Sequence, residues 1–368
     1  MSTTAIFNEQ DVRTALCAVQ APYMSIDLVA AGMLHDVQVE GADLRFTLEY
    51  RVPPLRVREA FEQQVRIALA KHIPNLGDVT IDARVNIPSA GDTSSRGVLP
   101  GVRNTIAVAS GKGGVGKSTV AVNLAVALAR SGATVGLIDA DIYGPSIPLM
   151  MNVHEQPRAY RDQDKTRLLP TENYGVSLMS IGFLVKPEDA LIWRGPMAGG
   201  ALKQFLTDVD WGELDYLLFD LPPGTGDIQL TLSQSLPLTG AVIVTTPQDI
   251  ALADARKGVR MFEKVAVPIL GLVENMSYYV CSSCGNRDHV FSHGGGRATA
   301  GELNVPFIGE IPLTTAVREG GDKGVPIVEM QPDGPIASSF FEAALQLAGT
   351  VSERNLTQAQ TPSIDISL

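Results

Sequence analysis

The sequence predicts an α/β protein, a mostly parallel, doubly wound sheet preceded by a small α+β domain. Three observations carry that expectation. From Asn104 onward, short apolar runs alternate with segments of helical periodicity, as strands buried on both faces and their crossover helices do. Ahead of them, residues 1–88 hold a shorter succession of helix, hairpin, helix and strand. Between the two, Ser89 to Pro100 is small, polar and without periodicity. The chain therefore divides into a small α+β domain at 1–88, a linker at 89–103, a large sheet domain at 104–352 and a flexible tail at 353–368.

Within the first domain, Asn8 to Val19 reads as a helix, with Cys17 a core residue beside Val12, Ala15, Leu16 and Val19. Val37 to Tyr50 alternates apolar and polar residues around a Gly41-Ala42-Asp43 turn, which predicts a hairpin. Arg56 to His72 places Val57, Phe61, Val65, Ala68 and Leu69 on one helical face, and Val79 to Ile87 closes the domain as a strand. Beyond the linker the expected strands are Thr105–Ala109, Thr134–Ile138, Ser177–Ile181, Tyr216–Phe219, Ala241–Thr245, Ile269–Glu274 and Phe307–Ile311. A last helix spans about Pro335 to Thr350.

Composition narrows the function classes. Hydrophobic residues make up 45% and charged residues 19% of 368, enough for a sizeable core. A formal net charge of -11 argues against nucleic acid or an anionic membrane as partner. No apolar run reaches the roughly 18 residues of a membrane span, and Met1 to Gln10 lacks a secretion pattern. Three cysteines make no disulfide framework, so the expected setting is cytoplasmic and reducing.

The chemistry begins at Gly111-Lys112-Gly113-Gly114-Val115-Gly116-Lys117-Ser118-Thr119, which fits G-x-x-x-x-G-K-[ST] between a strand and an alanine-rich helix. Gly113, Gly114 and Gly116 let successive amides turn toward one anion, and the helix N-terminus adds positive charge there. Lys117 is then the partner of the β- and γ-phosphates and Ser118 a ligand of Mg²⁺. Without an N-K-x-D guanine-reading motif, ATP is favoured over GTP. Two acidic segments follow at strand ends, where ligands gather in open α/β sheets: Asp139-Ala-Asp141-Ile-Tyr-Gly-Pro-Ser146, and Asp220-Leu-Pro-Pro-Gly224-Thr-Gly226-Asp227. Asp220 is expected near Mg²⁺, and Gly224 and Gly226 in a loop that moves when the γ-phosphate leaves.

With Lys112 the loop resembles the deviant Walker A motif of the MinD and ParA ATPases and the nitrogenase iron protein. That resemblance implies a homodimer in which Lys112 reaches the partner's nucleotide. It also implies Asp141 orienting the attacking water, Asp139 in the metal shell, and Asn275 on the adenine edge with Pro247 and Gln248 nearby.

Cys281-Ser-Ser-Cys284 admits three readings. A thioredoxin-like pair wants a helix after it, and Gly285-Asn286 argues against one. A zinc knuckle would recruit His289 and His293. Alternatively, a two-fold dimer brings four thiolates, the number a [4Fe–4S] cluster takes. The order Asp-Ala-Asp-Ile-Tyr-Gly-Pro-Ser, Trp193-Arg194-Gly195-Pro196, Asp-Leu-Pro-Pro-Gly-Thr-Gly-Asp, Glu274-Asn275-Met276 and C-x-x-C resembles the Mrp/ApbC iron–sulfur cluster carriers over about Asn104 to Thr350. It implies an ATPase that holds a [4Fe–4S] cluster at Cys281 and Cys284 between subunits. Such a carrier exchanges the cluster with assembly scaffolds and apo-proteins. Residues 1–88 resemble the iron–sulfur assembly domain fused ahead of such carriers. Where that domain carries Asp-Pro-Glu and Cys-Pro, this chain reads Gln20-Ala21-Pro22 and Val52-Pro53-Pro54, without a cysteine. Two rivals remain: a MinD- or ParA-like positioning ATPase, disfavoured by a polar tail whose only basic residue is Arg354, and an ATPase with structural zinc.

Overall fold

The computed structural model describes residues 7–90, 98–141, 144–162, 165–184, 195–281 and 283–360. Part of the expected linker, Ile142-Tyr143, Trp193-Arg194 and the end of the expected tail lie outside them. The chain forms two units, one of residues up to Gly91 together with those from Ala348, the other Asp92 to Leu347.

In the first unit Asn8 caps α1 (Glu9–Leu16), its Oδ1 accepting from the amides of Gln10 and Asp11 at 2.8 and 3.2 Å. The helix stops at Leu16, so Cys17 falls outside the buried face and is exposed, contrary to its expected place in the core. The predicted hairpin forms as β1 (Leu34–Glu40) antiparallel to β2 (Asp43–Tyr50), and α2 (Arg58–His72) buries Phe61, Val65 and Leu69. β3 (Val79–Val85) pairs parallel with β2. Glu49, 4% exposed, is held by Asn86 at 2.9 Å, Arg51 at 2.5 Å and Arg84. Burial pushes its carboxyl up, but these donors outweigh it and keep the group below the usual carboxylate range.

The second unit carries the large sheet. Its first strand, β4 (Val102–Ala109), leads into α3 (Lys117–Arg130), and β5 (Val135–Asp139) is followed by the short α4 (Ile147–Met150). A hairpin of β6 (Arg158–Asp162) and β7 (Lys165–Leu169) precedes β8 (Thr171–Asn173) and β9 (Val176–Ser180). α5 (Gly195–Thr207), β10 (Leu214–Asp220), α6 (Asp227–Ser235), β11 (Gly240–Thr245) and α7 (Asp249–Lys264) continue the winding. β12 (Ile269–Val280) is followed by β13 (Arg287–Asp288), α8 (Gly295–Leu303), β14 (Phe307–Leu313), α9 (Thr315–Lys323) and α10 (Ile327–Met330).

The strand order is β13-β12-β11-β4-β10-β5-β9-β8, with β14 also on β12. The seven strands expected from sequence are all parallel to one another, and among the described strands of this sheet only the short β8 and β13 run antiparallel. The middle of the sheet is dry: Ile106, Leu217, Phe219 and Ile243 are 0% exposed. α3 lies along it with Leu124 and Leu128 fully buried, each contributing about 2 kcal/mol by removal from water. The β6–β7 hairpin was not expected, because its residues are mostly exposed and carry no apolar alternation.

The final helix, α11 (Pro335–Gln360), is longer than expected. Its end belongs to the first unit, where Val351 is buried, Ser352 Oγ donates to the Arg51 carbonyl at 2.6 Å and Asn355 Nδ2 to that of Pro88 at 3.0 Å. Residues 353–360 are therefore helical, not a loose tail.

Candidate functional site

The strand-to-helix turn that opens α3 is shaped by glycine. Gly116 has φ 80°, and a Cβ there would lie 2.3 Å from Asn275 Nδ2. Only glycine meets both conditions without strain. The turn leaves Lys117 as the first residue of α3, 6% exposed and close to the end of β10.

Around it the predicted residues converge. Lys117 Nζ stands 2.7 Å from Asp220 Oδ1 and 3.5 Å from Asp141 Oδ2, and Ser118 Oγ donates to Asp220 Oδ2 at 2.6 Å. Burial pushes the Asp220 carboxyl up, and the Lys117 ammonium pulls it back only in part. Asp139, expected in the metal shell, is fully buried and turned to its own loop. Its oxygens accept from the Asp141 and Ile147 amides at 3.2 Å each and from Ser180 Oγ at 3.0 Å. Burial, with the Asp220 charge beside it, pushes Asp139 up to about 7. The cluster holds more carboxylate than its one buried lysine balances. An oxygen-rich, cation-poor site with a serine hydroxyl at the mouth of a phosphate loop fits Mg²⁺ bound together with a polyphosphate.

The remaining residues frame this centre. Gly111, Gly113 and Gly114 line the loop, with Gly114 at φ 81°, while Val115 is buried and Thr119 half-buried in the first turn of α3. Lys112 is half-buried, its carbonyl accepting from Ser110 Oγ at 2.9 Å. Pro247 and Gln248 enter α7, with Gln248 as its N-cap residue. Asn275, expected on the adenine edge, donates from Nδ2 to the Val115 carbonyl at 2.8 Å. Its neighbour Glu274, which the motif reading did not single out for chemistry, is 0% exposed. The signal was there: a carboxylate inside an apolar strand needs donors.

The cysteines sit on a tight hairpin between β12 and β13. The Cys281 amide donates to the Asn286 carbonyl at 2.9 Å, the Gly285 amide returns to the Cys281 carbonyl at 2.8 Å, and Gly285 takes φ 71°. The nearby backbone N–H groups, that of Ser283 first and then that of Cys284, hold the Cys281 thiol below its usual range. Arg287 lies over the Tyr278 ring, 4.5 Å from its centroid. His289 and His293 pack ring against ring at 4.1 Å, but among the described residues no three His, Cys, Asp or Glu side chains come together as a metal site. The Cys₂His₂ knuckle in one chain is not assembled.

Comparison with known proteins agrees with this geometry. A family model described as ParA, NUBPL iron-transfer P-loop NTPase, matches residues 101–348, and one described as iron-sulfur cluster assembly protein matches residues 9–83. The chain is 46% identical to the iron-sulfur cluster carrier protein of Synechocystis sp., covering 93% of this chain and 97% of that one. It is 44% identical to the Escherichia coli iron-sulfur cluster carrier protein over 97% of this chain and 95% of the other. Among solved structures, the nucleotide-binding protein of Archaeoglobus fulgidus in complex with ADP covers 67% of this chain and 95% of its own, with 39% identity and a TM-score of 0.57. The cell division ATPase MinD of Pyrococcus furiosus covers 66% of this chain and 98% of its own, with 25% identity and a TM-score of 0.50.

Proposed function

The chain belongs to the family of iron-transfer P-loop NTPases that act as iron–sulfur cluster carriers, and from that membership we propose an ATP-hydrolysing homodimer. It holds a [4Fe–4S] cluster as cargo between its subunits and delivers it to apo-proteins. The observation behind this reading is the hairpin at Cys281 to Gly285. Two peptide N–H groups favour Cys281 as thiolate, the form that ligates iron. The hairpin supplies two sulfurs, half of a cubane's four ligands, and a two-fold axis supplies the rest.

On the nucleotide side, Lys117 exchanges its ion pair with Asp220 for the β- and γ-phosphates. That frees the Asp220 carboxylate and the Ser118 hydroxyl to face Mg²⁺. The metal, when bound, neutralises charge on the transferred phosphoryl group. Asp141, 3.5 Å from Lys117, orients the attacking water, while Asp139 holds the turn that carries it. Lys112 extends to the nucleotide of the partner subunit, and Pro247 and Gln248 face the adenine.

The test is anaerobic reconstitution with iron and sulfide. About four iron and four sulfide per dimer are expected, falling to background in Cys281→Ala and Cys284→Ala. One zinc per chain without sulfide would overturn the reading.

A further inference from the structure

One strand joins the phosphate loop to the thiol hairpin. Midway along β12, Asn275 Nδ2 donates to the Val115 carbonyl inside the loop at 2.8 Å. Glu274 serves the other direction. Its Oε1 accepts from Ser277 Oγ at 2.6 Å, and its Oε2 accepts from the amide of Gly296 in the first turn of α8. α8 begins where the segment bearing the thiols ends, so these two residues fix both the strand entering that segment and the helix leaving it. Space is as tight as the bonding: a Cβ on Gly296 would lie 2.8 Å from Glu274 Oε2, and one on Gly116 only 2.3 Å from Asn275 Nδ2.

The Val115 carbonyl shares a peptide plane with the Gly116 N–H, and the two point in opposite directions. Whatever turns that N–H toward a phosphate also turns the carbonyl at Asn275. Between Asn275 and the thiols the strand is irregular. Met276 takes φ 56°, and the β12–β14 register shifts between Asn275 and Tyr279. At Tyr279 and Val280 the strand pairs with Asp288 and Arg287 of β13. A left-handed non-glycine residue at a bulge persists because its surroundings hold it from both sides, and a bulge sets the direction of the strand beyond it.

We propose that Asn275 and Glu274 are positioning residues that carry nucleotide occupancy from the phosphate loop to the cysteine hairpin, through re-aiming of β12 at Met276. The grip on the inorganic cargo then depends on the state of the nucleotide. This inference rests on the carrier reading above, yet its test needs no cargo.

The full-length, reduced, metal-free protein is followed by amide hydrogen exchange across residues 278–288, with and without Mg-ATP. In the wild type, nucleotide slows exchange of the Cys281 and Gly285 amides by about tenfold, the size of an ordinary coupling between sites. Glu274→Gln binds a fluorescent ATP analogue as the wild type does, and the slowing shrinks to less than about twofold. Asn275→Asp, equal in shape but without the donor, is followed at a nucleotide concentration that saturates it and loses the slowing too. A wild type that binds nucleotide with no change at the hairpin overturns the proposal, as does a Glu274→Gln protein with the full response. An Asn275→Asp protein that keeps the full slowing when saturated with nucleotide overturns it as well. Should Glu274→Gln not fold, Ser277→Ala, which deletes one donor to Glu274, is read by the same criterion. Failure of the carrier reading shows separately, as absence of iron and sulfide after reconstitution of the wild type.

Discussion

In the phosphate loop, Lys117 and Asp220 are buried and bonded to each other, with Ser118 alongside. In the thiol hairpin, Cys284 and the described residues from Ser283 to Val290 are exposed, and Cys281 is half-buried. The contrast teaches where each site's missing parts come from. In the first, the chain's own groups already bond one another, through an internal ion pair that a ligand must displace. The second offers two thiols on a largely exposed hairpin, and on the proposed function its other two ligands come from a second copy of the chain.

Lys117→Ala is the strongest way to break this comparison. It deletes the cation aimed at the phosphates and strands Asp220, and ATP hydrolysis measured by phosphate release is expected to fall about 100- to 1,000-fold. A variant with near-normal turnover would show that the internal ion pair is structural only.

A smaller effect sharpens the contrast through two glycines in the same left-handed conformation. Gly116→Ala puts a Cβ against Asn275 Nδ2, whereas nothing lies within 4 Å of one on Gly285. The backbone term alone costs about 1–2 kcal/mol at either site. Gly116→Ala is therefore expected to destabilise the second unit by clearly more than Gly285→Ala. Urea unfolding followed by tryptophan fluorescence checks this, since Trp211 is buried in that unit. Equal losses would mean that the loop is not as closely packed as its geometry indicates.

How far the sequence was legible tracks the same division between buried and exposed. The seven parallel strands announced themselves because strands covered on both faces must be apolar runs. The phosphate loop was plain because close backbone approach to an anion admits few residues. The β6–β7 hairpin escaped because its residues are mostly exposed, Arg158, Tyr160 and Lys165 among them, so no period marks them. Cys17 was misplaced by a boundary error at the end of α1, where one residue decides which side is buried. The extension of α11 to Gln360 was invisible because Ser352 and Asn355 look like solvent-facing residues until Arg51 and Pro88 are seen to accept from them. The motif singles out Asn275, but not its bond to the Val115 carbonyl, since a motif gives position without direction.

Native mass spectrometry of the anaerobically reconstituted protein addresses the shared cargo site most directly. The account predicts two chains carrying a single [4Fe–4S] cluster, with no cluster on a lone chain. A single chain holding its own cluster, or a dimer with one sulfide-free metal per chain, would contradict it.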